Sequence, residues 1–150
     1  MKKKVLYGAI AALLLMQLVP LDRGNPSVEG EIQAPAEVQA ILERSCYDCH
    51  SNETKWPWYA YVAPVSFFVS HHVEEGREHL NFSTWSRYDT KKQAHKVEEM
   101  VEETGEGEMP LWSHVLIHGE AALSSQDKAT LVAWAKQAYG VEVKPDQGHH

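Results

Sequence analysis

The segment CYDCH at residues 46–50 constrains this chain more than any other feature of its sequence. Two cysteines separated by two residues can each form a thioether with a vinyl group of haem, and the histidine that follows is then held as an iron ligand. Cys46 and Cys49 are the only cysteines in the 150 residues, so neither has a distant partner for a disulfide. The pattern therefore predicts one covalent haem c, with His50 as a ligand of its iron.

Two other interpretations of the motif exist. A C-x-x-C redox pair belongs in an alternating strand and helix context, which the sequence pattern lacks. A zinc site would need a fourth ligand, and adjacent Cys49 and His50 fit one tetrahedral ion poorly. The surrounding sequence favours haem c, because the chain begins with an export signal and a predicted helix leads directly into Cys46.

The N-terminal residues predict export. Three lysines at positions 2–4 precede an almost uninterrupted apolar run at residues 5–19, which Pro20 and Asp22 end. This layout is typical of a signal peptide, and the run falls short of the ~20 apolar residues of a usual membrane span. Residues 1–21 are predicted to be either a cleaved signal peptide or an uncleaved signal-anchor. Either way, the domain lies on the periplasmic side of the inner membrane, anchored there or exported and soluble.

The rest of the pattern predicts an all-α protein. Residues 22–33 contain glycine, proline and serine without an apolar period and are interpreted as a linker to a domain at 34–140. Residues 141–150 form a polar tail. Apolar residues at helical spacing predict four helices, which begin near Pro35, Pro64, Lys91 and Ser124. The loops between these helices are long for so small a domain, which indicates that a bound group organises them.

Each predicted helix carries one face that we expect to be buried. In chain order these faces are Val38, Ile41, Leu42 and Ser45; Val65, Phe68, Val69, His72 and Gly76; Ala94, Val97, Val101 and Thr104; and Leu131, Trp134, Ala135 and Ala138. Gly105 and Gly140 are predicted to end the third and fourth helices, and Ser124 with Asp127 predicts a capping box.

Met109 is the predicted second ligand of the iron. Haem iron in an electron carrier usually has two axial ligands, and methionine raises the reduction potential relative to histidine. Met109 lies in the irregular stretch GEGEMPLW, between Gly107 and Pro110, where a loop can present a thioether to iron. His72, on the apolar face of the second helix, is the alternative, and Met100 is interpreted as ordinary packing.

An aromatic run, WPWYAY, follows the motif and can cover the apolar face of a porphyrin. Trp56 is the candidate haem contact from this run. Arg77 is the first candidate partner for a haem propionate, through charge-assisted hydrogen bonds, and Arg87 is the second. Core packing for the aromatic residues and solvated charges for the arginines remain open.

The charge of the chain narrows its partners. The formal net charge is −7 and is more negative still without the three N-terminal lysines. This acidity argues against nucleic acid, because phosphate binding needs a basic face. It is compatible with a redox partner protein that carries a basic surface.

The order of a helix, CYDCH, a methionine–proline loop and a final helix beginning LSSQDKATLVAWA resembles the layout of class I cytochrome c. Residues 34–138 more closely resemble the bacterial haem-binding domain family of small monohaem c-type cytochromes. The segments that carry this resemblance are ERSCYDCHSNETKWPWYAYVAPVS, VEEGREHLNFSTW, GEMPLWSHVLIHGEA and the final helix. The resemblance implies one covalent haem ligated by His50 and Met109, in a class I-like domain with an enlarged middle insertion at residues 57–104.

Three functions are consistent with these features. The leading hypothesis is an electron-transfer cytochrome, which is not an enzyme, because no acid–base constellation is obvious. The alternatives are a haem enzyme of peroxidase type, which needs an open distal position, and a haem-based ligand-binding or sensor module.

Overall fold

The computed structural model describes residues 2–142 and consists, over those residues, of helices joined by turns and extended segments. No strand occurs among them, so the all-α prediction is confirmed. The helices are α1 (Lys2–Met16), α2 (Ala36–Ser45), α3 (Tyr47–His50), α4 (Val65–His79), α5 (Thr90–Glu106), α6 (Trp112–Ile117) and α7 (Ser125–Tyr139). Three 3₁₀ turns, Trp58–Tyr61, Phe82–Arg87 and Gly119–Ala121, lie in the segments that were predicted as long loops.

The core forms where α2, α5 and α7 pack together. On α2 the buried residues are Val38, Ile41, Leu42 and Ser45, the face that its periodicity predicts. The buried side of α7 is Leu131, Trp134 and Ala135, whereas Ala138 is exposed, contrary to the prediction. At that end of α7 the core is instead contacted by Tyr139, which packs edge-on against Trp85 and Trp134.

The ends of α5 and α7 follow local backbone chemistry. Ser124 and Asp127 form the predicted capping box at the start of α7, and Gly140 ends that helix with a φ of 68°. Helix α5 runs past Gly105, and Gly107 ends it instead, with a φ of 84°. Glycine adopts this left-handed conformation without a Cβ penalty, whereas Gly105 has helical backbone and ends nothing.

The buried face of α4 differs from the predicted one. Val65 and Phe68 are exposed, and the buried residues are Ser66, Val73 and Gly76. Gly76 belongs to the predicted face and is buried against α3, where its missing side chain allows close approach. The buried face of α4 therefore keeps Gly76 of the predicted set but leaves Val65 and Phe68 exposed.

Helix α1 has no buried residue, and Gln17, the residue after its end, forms hydrogen bonds to Ala63 of the domain. Its 15 residues correspond to about 22 Å at 1.5 Å per residue, against a hydrocarbon core of about 30 Å. Among the residues described here, no helix has the length and apolarity needed to cross a bilayer.

The segment predicted as a linker lies along the domain. The Glu29 backbone N–H donates to the Ser83 carbonyl at 2.8 Å, and the Ile32 N–H donates to the Phe82 carbonyl at 3.1 Å. Ile32 is only 1% exposed and belongs to the core, as does Val141 at the start of the predicted polar tail. The rest of that tail, residues 143–150, lies outside the described residues.

Gly76 gives the first test of the fold. A Cβ at this position would lie 2.6 Å from the Cys49 carbonyl oxygen, so Gly76→Ala should destabilise the protein by about 1–3 kcal/mol through overpacking. Gly105→Ala is the matched control, because no atom lies within 4 Å of its Cβ position, and it should stabilise α5 by about 0.5–1 kcal/mol. Urea unfolding followed by circular dichroism measures both, and equal midpoints for the two variants would show that α3 and α4 can separate without cost.

Candidate functional site

The joint between α2 and α3 sets the positions of the motif residues. The Cys46 N–H donates to the Leu42 carbonyl at 2.9 Å, which completes α2, and the His50 N–H donates to the Cys46 carbonyl at 2.9 Å, which closes the single turn of α3. Cys46, Cys49 and His50 thereby all face one cavity. The structure brings these three predicted site residues together.

The cavity has a volume of about 470 Å³, within the range of roughly 300–1,000 Å³ that is usual for ligand and cofactor sites. Its walls come from the end of α2, from α3, α4 and α5, from the loop after α5, and from α6. Its lining is mostly apolar, and the apolar and sulfur-bearing members include Cys46, Cys49, Leu80, Phe82, Met100, Met109, Pro110 and Leu111.

The imidazole of His50 is held in one orientation. Its Nδ1 lies 2.9 Å from the Gly76 carbonyl oxygen and 3.1 Å from the Leu80 carbonyl oxygen. Because a carbonyl oxygen only accepts, Nδ1 carries the hydrogen and donates it, which leaves the Nε2 lone pair free. Burial lowers the pKa of His50, so the ring is neutral at neutral pH. A neutral, fixed imidazole whose Nε2 is free on the cavity side is the form that binds a metal.

Aromatic packing supports the turn that carries His50. Tyr47 is buried and stacks on Phe82 with 5.3 Å between ring centroids, and the Phe82 ring lies 6.4 Å from that of His50. The Tyr47 hydroxyl donates to a Glu31 carboxylate oxygen at 3.0 Å and accepts from Gln39 at 2.8 Å. These contacts tie α3 to α2 and to the N-terminal extended segment.

Both motif thiols are neutral in this environment. Burial raises the pKa of Cys46 to about 12 and the pKa of Cys49 to about 11. A thiol–disulfide exchange site instead lowers the pKa of its attacking cysteine, since the thiolate is the nucleophile. The surroundings of Cys46 and Cys49 therefore do not suit a redox pair.

Met109 lies at the cavity because of the way in which α5 ends. After Gly107 reverses the chain, the N–H groups of Glu108 and Met109 both donate to the Glu103 carbonyl, at 3.0 Å and 3.2 Å. These two hydrogen bonds to one carbonyl hold the loop against the end of α5 and place Met109 in the cavity wall. The buried side chain of Met100, on α5 itself, lines the same cavity.

Several histidines also line the cavity. His72 and His79 are on α4, the helix whose carbonyls accept the His50 hydrogen, so we expect both on the same side of a bound metal as His50. His114 is on α6, and burial lowers its pKa.

The charged residues of the lining come mainly from α4 and α5. Lys96 is the one lysine or arginine among the described residues that line the cavity, and its side chain is only 16% exposed. Its ammonium group donates to Glu99 at 2.6 Å. Lys96 is therefore the cation best placed to meet an acidic group on the rim of a bound cofactor.

Trp56 and Arg77 lie elsewhere. Both line a separate cavity between α4 and residues 20–22, and neither borders the cavity of Cys46 and His50. The Arg77 guanidinium donates at 2.8–3.0 Å to four protein oxygens, those of Ser51, Gly24, Asn25 and Thr54. Arg87 pairs with Glu29 on the surface. The structure thus uses these arginines to hold the segments around the motif and does not bring them to the site.

The sequence pattern did not predict a group of buried polar side chains that lies behind the motif. The Asn52 N–H donates to the Ser83 hydroxyl at 3.0 Å, and Asn81 donates to the Asn52 side-chain oxygen at 2.8 Å. Asn81 also accepts from the Ser83 N–H at 2.9 Å, as an N-cap of the turn that follows. The N-x-S pattern at residues 81–83 is the signal that could have identified this cap.

The residues of the cavity fit a haem. The set offers two thiols, a fixed imidazole, methionine thioethers and apolar walls, which are the groups that attach, ligate and cover a c-type haem. The Ser45 hydroxyl also lines the cavity, is buried and has no hydrogen-bond partner among the described residues. An unsatisfied buried hydroxyl at a cavity wall indicates that a further group belongs there.

Comparison with known proteins gives one result. A family model described as a haem-binding domain matches residues 11–137. Neither the curated proteins nor the solved structures contain a significant match to the chain.

Arg77→Met tests the placement of that arginine. We expect a loss of about 1.5–3 kcal/mol in unfolding free energy, because several hydrogen bonds to a charged group disappear, with no change in the absorption spectrum of a bound haem. Arg87→Met is the control and should cost at most about 1 kcal/mol, since its ion pair is exposed. A changed haem spectrum in the Arg77 variant alone would place its guanidinium in contact with the cofactor.

Proposed function

The chain belongs to the haem-binding domain family, and on this premise we propose that it is a monohaem c-type cytochrome that transfers electrons at the periplasmic face of the inner membrane. The haem is covalent, with thioethers to Cys46 and Cys49, and His50 is its proximal ligand. The domain follows the class I cytochrome c plan, with residues 57–104 as an enlarged insertion.

One observation carries this proposal. The two thiols and the free Nε2 of His50 face the same cavity, while Nδ1 is fixed by the carbonyls of Gly76 and Leu80. A peptide carbonyl that accepts a hydrogen bond from Nδ1 both selects the tautomer and raises the basicity of Nε2, the ligating nitrogen. In a histidine that serves only core packing, both ring nitrogens are usually hydrogen-bonded, whereas Nε2 of His50 is free beside a cavity of this size.

Met109 is the proposed distal ligand. It lies on the loop after α5, away from α4, the helix that supports His50, and its backbone is held by the Glu103 carbonyl. Met100 lines the same cavity from α5 and is the nearest competitor. A methionine thioether in either position would ligate the iron of a bound haem, which favours electron transfer over a haem enzyme that needs an open site.

Haem supplies a one-electron iron couple when it is bound. The side chains of Leu80, Phe82 and Leu111 would exclude water from the bound haem. The Lys96 ammonium, which lines the same cavity, would pair with a haem propionate in place of the sequence-predicted Arg77. A net charge of −7 suits a redox partner with a basic surface and argues against nucleic acid as a partner.

The N-terminal segment gives the location. We propose that α1 remains as a short anchor, with the lysines at positions 2–4 on the cytoplasmic side and the domain outside. Lysine side chains that extend to the headgroups and local thinning of the bilayer both accommodate a helix of 15 residues. Cleavage after export is the alternative, and the intact mass of the mature protein distinguishes the two.

Loss of single cysteines tests the attachment. In a pyridine haemochrome assay, Cys46→Ala and Cys49→Ala should each move the absorption band to longer wavelength, because one thioether is replaced by an unreacted vinyl group. Ser45→Ala, a neighbour in the same wall, should leave the band where it is. Complete extraction of haem from the wild-type protein by acidified solvent would contradict covalent attachment.

Axial ligation is tested by comparing three variants. Met109→Ala should convert a low-spin six-coordinate ferric spectrum to a high-spin one and lower the reduction potential, because the thioether ligand is lost. Met100→Ala and His72→Ala should keep the low-spin spectrum. If only Met100→Ala changes the low-spin spectrum, Met100 is the ligand. Steady peroxide turnover by the wild-type protein would instead favour the enzyme hypothesis.

A further inference from the structure

An exposed apolar patch surrounds the point where α1 joins the domain. We define the foot patch as the residues Trp58, Tyr61, Val62, Val65 and Phe68, which lie on the 3₁₀ turn after the motif and on the first turn of α4. Trp58 is 78% exposed, Tyr61 57% and Phe68 51%, so large rings and aliphatic groups face outward. Monomeric proteins rarely leave such a contiguous set uncovered without a reason.

The foot patch is tied directly to the end of α1. The Gln17 side chain, one residue beyond α1, donates to the Ala63 carbonyl at 3.3 Å and accepts from the Ala63 N–H at 3.3 Å. Arg23 donates to the Ala60 carbonyl at 2.8 Å, and its guanidinium lies 4.8 Å from the centre of the Tyr61 ring. Whatever surrounds the end of α1 therefore also meets the foot patch.

Helix α1 itself shows what covers this region. Its side chains after the lysines are almost all apolar, and none is buried against the domain. A helix that is apolar on every side needs an apolar environment on every side. Lipid satisfies this requirement at all faces of the helix, whereas a single protein partner would cover one face.

The charge pattern of the foot patch matches the same environment. Residues 56–70 contain no aspartate, glutamate, lysine, arginine or histidine, in a chain whose net charge is −7. This segment can approach an anionic lipid headgroup layer without the repulsion that the rest of the domain would meet. Tryptophan and tyrosine, the two most exposed members, are the residues that prefer the membrane–water boundary.

We propose that the foot patch is a membrane-interface surface, on which the haem domain lies against the outer leaflet of the bilayer that holds α1. The proposal rests on the proposed function only in taking α1 to be retained in the membrane. It adds a fixed orientation: the domain does not move freely on a tether but lies against the lipid through Trp58, Tyr61 and Phe68.

The test uses full-length haem protein in vesicles of phosphatidylethanolamine and phosphatidylglycerol, with one introduced cysteine per variant and a nitroxide label. Tyr61→Cys and Phe68→Cys probe the foot patch, Leu14→Cys probes α1, and His95→Cys, exposed on α5, is the control. Paramagnetic accessibility to oxygen, which enters lipid, is compared with accessibility to a nickel chelate, which stays in water. Protein without an introduced cysteine shows whether the motif thiols are blocked by haem.

We expect the labels at 61 and 68, like the label at 14, to favour oxygen several-fold over the label at 95. Labels at 61 and 68 that match the label at 95, while the label at 14 reads lipid, would overturn the foot patch and leave the anchor intact. A label at 14 that is accessible to the nickel chelate would contradict both the membrane anchor and the proposed role of the foot patch. Protection from nickel at 61 and 68 without vesicles would assign the patch to a second copy of the chain, again against the proposal.

Discussion

The hydrogen bonds from His50 Nδ1 to the Gly76 and Leu80 carbonyls are the contacts on which the rest of the structure depends. They set the tautomer and the direction of the ring, and they join a four-residue helix to a long one. Helix α3 is too short to be stable alone, because one turn makes few internal bonds. Its position is therefore decided by α4, and the cavity exists because this pairing leaves the Nε2 side of His50 open.

The close approach of α3 and α4 explains why Gly76 lies at their crossing. Any side chain there would meet the Cys49 backbone, so the helix that holds the His50 ring is also the helix that limits how near the motif can come. The segment at residues 57–104, which the sequence analysis interprets as an enlarged insertion, consequently has a role that its sequence did not indicate. It supplies α4 behind His50 and α5 opposite, and so builds most of the cavity around the motif.

The molecule divides its apolar surface between two purposes. Inside, the cavity walls and the core cluster surround the site, and the buried polar contacts of Asn52 and Ser83 hold the backbone that follows the motif. Outside, exposed apolar side chains lie on α1, at the foot patch around its end, and on α6, where Trp112, Leu116 and Ile117 are exposed. Because Ala60 and Ala63 accept bonds from Arg23 and Gln17, the orientation of the domain relative to α1 is linked to the same turn that follows the motif.

The sequence by itself determined the features that depend on nearest neighbours along the chain. The α2 stripe, the capping box of Ser124 with Asp127, the glycine that ends α7 and the C-x-x-C-H motif are all local patterns with a direct physical meaning. Tertiary structure decided the rest. The sequence does not indicate that the carbonyls of Gly76 and Leu80 accept the hydrogen bond from His50, because every residue has a carbonyl. Whether Arg77 or Lys96 reaches the cavity depends on how α4 and α5 are rotated. Periodicity did not give that rotation, because Gly76 of the predicted α4 face is buried while Val65 and Phe68 of the same face are exposed. Met100 appeared to be ordinary packing for the same reason: periodicity identifies a buried face, but only the assembled helices show that the face borders a cavity.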